Sequence, residues 1–268
     1  MNKKSIMLTT ELLLMLILFA SCGQRKTKAA DERTPFAGVH QTSQEQEEAV
    51  MNEPPLDSQA IYETLIKAIQ TDNHPAFDKL IKQVPDIDRM IPFPEPGYVD
   101  KDYSLLGFAC KFKRCEMAEK IINRNADITI GEGDEYIIND ALFVAVESKD
   151  VCIVRLLLNK GANPNQMNSE YGLTVLSVSC RDGGNYDIAK LLIENGAKVD
   201  GAGDTGFEYI IYPLLEAVQS NNIKLVQLLI DNNCTVDIED KEGTTPFSIA
   251  ESNNNPQMLE LLQKHSNR

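Results

Sequence analysis

Histidines, cysteines and acidic glycine-rich stretches are the residues of this chain whose types can support chemistry. The three histidines, His40, His74 and His265, lie far apart, and none lies beside a cysteine. Structural zinc sites and histidine-based triads bring such side chains together, so the spacing argues against both. The stretches 131–134 and 201–204 have too few carboxylates, at the wrong spacing, for an EF-hand calcium loop. We therefore interpret them as turns and predict no catalytic residues, no metal site and no cofactor.

The charge balance excludes two further classes of function. The chain has 40 acidic and 26 basic residues among 268, which gives a formal net charge of −14. Nucleic-acid binding needs clustered lysine and arginine on the protein surface. Electrostatic docking on anionic lipid needs the same. We expect neither.

Residues 1–21 have the pattern of a secretory signal peptide. Lys3 and Lys4 precede an apolar run at 12–20, which is too short for a membrane span of about 20 residues. The run ends in Ala20, Ser21 and Cys22, which resembles the lipobox of bacterial lipoproteins.

In that family the cysteine is lipidated and becomes the new N-terminus, so the resemblance implies an anchor at Cys22. Gly23, rather than an aspartate, follows the cysteine. By the sorting rule of that family this favours the outer membrane, and we expect the chain to face the periplasm. The alternative is ordinary signal-peptide cleavage and a free periplasmic protein.

Residues 22–57 are predicted to form a disordered tether behind the anchor. The stretch is rich in Gln, Glu, Thr and Lys, contains Pro35, Pro54 and Pro55, and lacks an apolar helical stripe. Such a composition cannot bury enough apolar surface to fold alone.

From residue 58 onward the sequence is repetitive. Each unit has an apolar segment ending in a small residue, a polar break and a second apolar segment whose spacing fits one helical face. The small residues recur every 33 to 41 positions. They are Ala68, Ala109, Ala145, Ser179, Ala217 and Ala250.

Two stretches carry a family resemblance. Residues 245–250 read TPFSIA and residues 156–165 read LLLNKGANPN, which is similar to the two halves of the ankyrin repeat. The resemblance implies an all-α repeat solenoid of helix pairs with hairpin-like fingers. It covers about six units over 58–268, with degenerate terminal units. Gly161 and Gly196 then fall where a helix ends in the left-handed conformation, with Asn125 and the pair Asn232 and Asn233 in equivalent places.

In ankyrin proteins, partners usually contact the fingers and the exposed end of the first helix of each unit. Tyrosine suits such contacts because it offers large area with a polar tip. The alternative is that the finger rings pack against the next finger. The predicted partner-binding residues are Tyr103, Tyr136, Tyr171, Tyr209, Lys111, Phe112, Glu147, Arg181, Asp182 and Gln219.

With Cys22 assigned to the anchor, five cysteines remain. Packed helices lie roughly 8–10 Å apart, whereas a disulfide needs Cα atoms within about 7 Å. We therefore expect mostly buried, reduced cysteines. Cys115 and Cys152, near the starts of second helices in adjacent units, are the pair best placed to bond.

Together these patterns predict a lipid-anchored, monomeric and non-enzymatic interaction module of the bacterial envelope. It would touch the membrane only through its anchor and bind a protein partner whose identity the sequence does not give. One alternative is an immunity or inhibitor protein against an envelope-active toxin. Another is an enzyme accessory, or an enzyme with an unrecognised site.

Overall fold

The computed structural model describes residues 57–92, 102–130, 140–168, 172–201 and 211–266. In these ranges, twelve α-helices follow one another as six pairs, each with an inner and an outer helix. The inner helices are α1 (Ser58–Gln70), α3 (Leu105–Lys111), α5 (Ala141–Glu147), α7 (Val175–Cys180), α9 (Pro213–Gln219) and α11 (Pro246–Ser252). The outer helices are α2 (His74–Leu80), α4 (Cys115–Ile122), α6 (Val151–Asn159), α8 (Tyr186–Glu194), α10 (Ile223–Asp231) and α12 (Pro256–His265).

The pairs stack in chain order. Each inner helix contacts its own outer helix and the inner helix of the next pair, and the outer helices form a second layer from α4 to α12. Apolar side chains from every pair form one continuous core. The predicted all-α repeat solenoid is therefore confirmed.

The small residue of each unit lies in its inner helix and is buried. Ala109, Ala145, Ala217 and Ala250 are fully buried, and Ser179 and Ala68 nearly so. A short side chain lets neighbouring helices approach closely, which explains why the sequence repeats this feature.

The turn between inner and outer helix contains one non-glycine residue in the left-handed region in every pair. These residues have φ of 51–58° and are Asp72, Lys113, Lys149, Asp182, Asn221 and Asn254. The outer helix then begins at a capping residue. In five pairs its side chain accepts a hydrogen bond from a backbone N–H of the first turn, and these caps are Asn73, Asp150, Asn185, Asn222 and Asn255.

Four outer helices are followed by a left-handed residue of the predicted type. Gly161 and Gly196 have φ of 94° and 92°, and Asn125 and Asn233 have φ of 63° and 65°. Glycine pays no steric penalty there and asparagine pays a small one. The predicted helix ends are thus confirmed.

Two fingers contain short antiparallel ladders. Strand β1 (Ile91–Pro92) pairs with β2 (Asp102–Tyr103), and β3 (Met167–Asn168) pairs with β4 (Leu173–Thr174). Polar side chains tie successive fingers together. The Asn165 side-chain amide donates a hydrogen bond to the Gly196 carbonyl at 2.9 Å. Its oxygen accepts one from the Lys198 N–H at 2.8 Å.

Cys115 and Cys152 form a disulfide, with their Cα atoms 6.1 Å apart. The expectation of reduced cysteines is wrong for this pair. The spacing of 8–10 Å separates helix axes, whereas these Cα atoms lie on the facing sides of α4 and α6. Cys110, Cys180 and Cys234 are free and buried, as expected, and burial raises the pKa of the Cys180 thiol to about 12.

Candidate functional site

A cleft of about 550 Å³ lies where three successive inner helices end, and we call it the turn cleft. Its walls come from the ends of α3, α5 and α7 and from the turns that follow them, and β4 adds one residue. The lining residues are Lys111, Lys113, Val146, Glu147, Ser148, Lys149, Leu173, Val178, Arg181 and Asp182.

The turn cleft brings together four residues that the sequence predicted as partner contacts. These are Lys111, Glu147, Arg181 and Asp182. The helix pairs align their inner-helix ends, so residues about 35 positions apart become neighbours.

The other two predicted helix-end residues lie elsewhere. Phe112 packs against the core. Gln219 lines a smaller cleft of about 200 Å³, which also contains Tyr212 and Glu216.

Sequence reasoning missed two lysines of the turn cleft. Lys113 and Lys149 occupy the left-handed turn position in consecutive repeats, with φ of 58° and 56°. Aspartate or asparagine stands at this position in the other four turns, and both tolerate the left-handed region better than lysine does. The exchange of residue type at a fixed repeat position was the signal that could have revealed them.

The cations of the turn cleft differ in how they are held. Arg181 makes two hydrogen bonds to the Glu216 carboxylate, at 3.1 and 3.3 Å, and these raise the pKa of its guanidinium. Lys149 donates from Nζ to the backbone carbonyl of Asp182 at 2.9 Å. Within the described ranges, neither Lys113 nor Lys149 forms an ion pair with a carboxylate.

Tyr103 is a packing residue, which corrects its assignment as a partner contact. Its side chain is only 2% exposed, and its ring centroid lies 5.6 Å from that of Phe108. A Cβ atom added at Gly107 would approach the Tyr103 ring to 3.0 Å, so the ring fills the space that this glycine leaves. The packing alternative therefore holds for this ring.

The remaining predicted site residues, Cys22, Tyr136, Tyr171 and Tyr209, lie outside the described ranges. Within those ranges, no three acidic, histidine or cysteine side chains are grouped as a metal site would require. None of the helices described is both long and apolar enough to cross a bilayer.

Comparison with known proteins decides the nature of the repeats. The family model described as ankyrin repeats (3 copies) matches residues 106–202. Residues 106–202 are thus similar to ankyrin repeats. Every residue that lines the turn cleft lies inside the matched ankyrin segment.

Proteins that are named for ankyrin repeats, from viruses and from a bacterium, are similar to this chain. One from fowlpox virus is 30% identical over 178 residues, which is 63% of this chain and 50% of that protein. One from Acanthamoeba polyphaga mimivirus is 29% identical over 140 residues, or 52% of this chain and 17% of its own length. One from the bacterium Borreliella burgdorferi is 27% identical over 143 residues, which cover 53% of this chain and 61% of that protein. The chain thus spans half or less of the first two relatives.

Ankyrin repeats indicate a protein–protein interaction module. In this chain, the matched segment presents a concave surface lined by both charged and apolar residues. That surface, rather than a cluster of reactive side chains, is the candidate functional site.

Proposed function

We propose that the chain is a lipid-anchored adaptor of the bacterial envelope, which binds a partner protein through the turn cleft and the fingers without catalysing a reaction. One observation carries this proposal. Helix-end residues of three successive ankyrin repeats converge on a single cleft, at the place where ankyrin proteins usually meet partners.

The form of the turn cleft supports binding. Val178 is half-buried beside the buried Val146 and Leu173, and charged side chains line most of the rest of the cleft. A mixture of apolar and polar contacts is usual in protein interfaces.

The disulfide supports the proposed location in the bacterial envelope. Bonds such as Cys115–Cys152 persist in oxidising environments, among them the bacterial periplasm, and are rare in the cytosol. Residues 1–22 supply the matching export and lipidation pattern. An anchor of several acyl chains would hold the protein stably, since a single chain binds only marginally.

Detergent phase partitioning of the full chain expressed in a bacterium tests the anchor. The wild type should enter the detergent phase. Cys22→Ser should stay unprocessed or move to the aqueous phase. A wild type found in the aqueous phase would contradict the lipoprotein proposal.

A steric block tests whether the turn cleft binds. Ser148 is half-buried in its wall, so Ser148→Trp should fill the cleft whatever the chemistry of the partner. Glu194→Trp adds the same bulk on the outer face of α8, where Glu194 is exposed. After cross-linked capture from envelope fractions, the cleft variant should recover at least about tenfold less partner than the control variant. Equal recovery by two folded variants would contradict the proposal.

A further inference from the structure

The turn cleft reverses the charge balance of the chain. The whole sequence has 40 acidic and 26 basic residues. The walls of the cleft instead hold four cations, Lys111, Lys113, Lys149 and Arg181, against the carboxylates of Glu147 and Asp182. Glu216 neutralises Arg181, so the lysines carry the positive charge of the cleft. Concave surfaces focus the field of the charges that line them, so the cleft favours anions more than the net charge of the protein suggests.

The turn geometry does not explain why two of these cations are lysines. Lys113 and Lys149 are exposed and lie at left-handed turn positions, where the other repeats use aspartate or asparagine. Because lysine gains no local hydrogen bond that would favour this conformation, the turn itself does not explain the choice. Such departures from local rules are expected at functional positions.

The disulfide fixes the two turns relative to each other. Cys115 lies two residues after Lys113, and Cys152 lies three residues after Lys149. The covalent link between Cys115 and Cys152 therefore joins the segments that carry both lysines. Holding binding groups in place before the partner arrives lowers the entropic cost of association.

We propose that the turn cleft holds an acidic segment of the partner protein, which rests on the proposed function. Aspartate or glutamate side chains of that segment lie against Lys113 and Lys149. An apolar side chain between them lies against Val178, the most exposed of the three apolar lining residues. Complementary charge of this kind gives specificity and fast association.

Fluorescence anisotropy with a labelled synthetic peptide, Glu-Leu-Asp-Glu-Leu-Asp, tests the proposal on the full chain. The matched neutral peptide has glutamine and asparagine in place of the acids. The cleft variant is Lys113→Gln/Lys149→Gln. The control variant, Lys79→Gln/Lys82→Gln, removes the same charge from exposed lysines of the first repeat.

The acidic peptide should bind the wild type, and the neutral peptide should bind at least about tenfold more weakly. The cleft variant should lose about tenfold in affinity for the acidic peptide, and the control variant less than about twofold. Inorganic phosphate should displace the peptide no better than chloride does at equal ionic strength, because a small anion does not fill the apolar part.

Equal binding of the two peptides, equal losses in the two variants, or displacement by phosphate would each overturn the acidic-segment proposal. The capture assay separates this failure from that of the proposed function. If Ser148→Trp blocks partner capture while Lys113→Gln/Lys149→Gln captures normally, the cleft binds a partner but not through an acidic segment. If Ser148→Trp captures normally, the proposed function itself fails.

Discussion

Two ion pairs on the outer-helix face contrast with two lysines of the turn cleft. On the outer face, Lys120 lies 2.6 Å from Asp78 and Lys190 lies 3.8 Å from Glu194. In the turn cleft, Lys149 is held by a backbone carbonyl, and neither it nor Lys113 has a carboxylate partner among the described residues.

This difference separates a solvated surface from a binding surface. Opposite charges that pair on an exposed helix largely cancel each other, so they attract a charged partner only weakly. Cations gathered in a concave site raise the local positive potential, which attracts an incoming anion. Under our proposal, the turn cleft binds the partner and the outer face is an ordinary solvated surface.

Both faces depend on one core, so the largest expected effect comes from removing a core side chain. Leu157 is fully buried in α6, and its neighbour Leu156 is half-buried. Leu157→Ala should lower the free energy of unfolding by about 2–5 kcal/mol, and Leu156→Ala by about half as much. Urea denaturation measures both, and equal losses would contradict the assignment of the core face.

Removing the disulfide between α4 and α6 should have the next largest effect on stability. Cys115→Ser/Cys152→Ser should lower the free energy of unfolding by about 2–4 kcal/mol, because the bond closes a long loop. The sequence separation of 37 residues places it among such loops. A reducing agent should destabilise the wild type by the same amount and leave the variant unchanged. A wild type insensitive to reduction would argue against the bond.

Replacing two finger tyrosines tests whether the partner also contacts the fingers, beyond the turn cleft. Tyr136→Ala/Tyr209→Ala should weaken partner binding by about 2 kcal/mol if both rings are anchors. Circular dichroism must show the variant folded, since Tyr103 is a packing residue. Normal binding by a folded variant would confine the interface to the turn cleft.

Substitutions on the outer face should have the smallest effect on stability and on partner binding. Lys190 and Glu194 form an exposed pair one helical turn apart. Lys190→Ala/Glu194→Ala should change both stability and partner binding by no more than about 1 kcal/mol. Sensitivity of partner capture to this pair would reverse the comparison between the two faces.

Much of the fold could be predicted because the repeat makes the same physical demand six times. A small residue where helices cross, and glycine or asparagine where an outer helix ends, are local requirements that the sequence shows directly. The choice between adjacent leucines was harder. Leu228 and Leu229 both continue the apolar stripe, but only Leu229 is fully buried, because the neighbouring repeat decides which side of the helix is covered.

The candidate site could be predicted in part. The ends of the inner helices were visible from the repeat, so Lys111, Glu147, Arg181 and Asp182 could be placed on one surface. The pairing of Arg181 with Glu216 depends on the rotation of one helix against the next, which the sequence pattern does not specify. The Cys115–Cys152 bond depends on the same rotation.

Partner capture by the two lysine variants tests the central claim most directly. Lys113→Gln/Lys149→Gln and Lys79→Gln/Lys82→Gln change the net charge equally, and only the first pair lies in the turn cleft. Our account predicts that the cleft variant loses about tenfold in affinity for the captured partner, while the control stays within about twofold of wild type. Equal affinities of the two folded variants would contradict it.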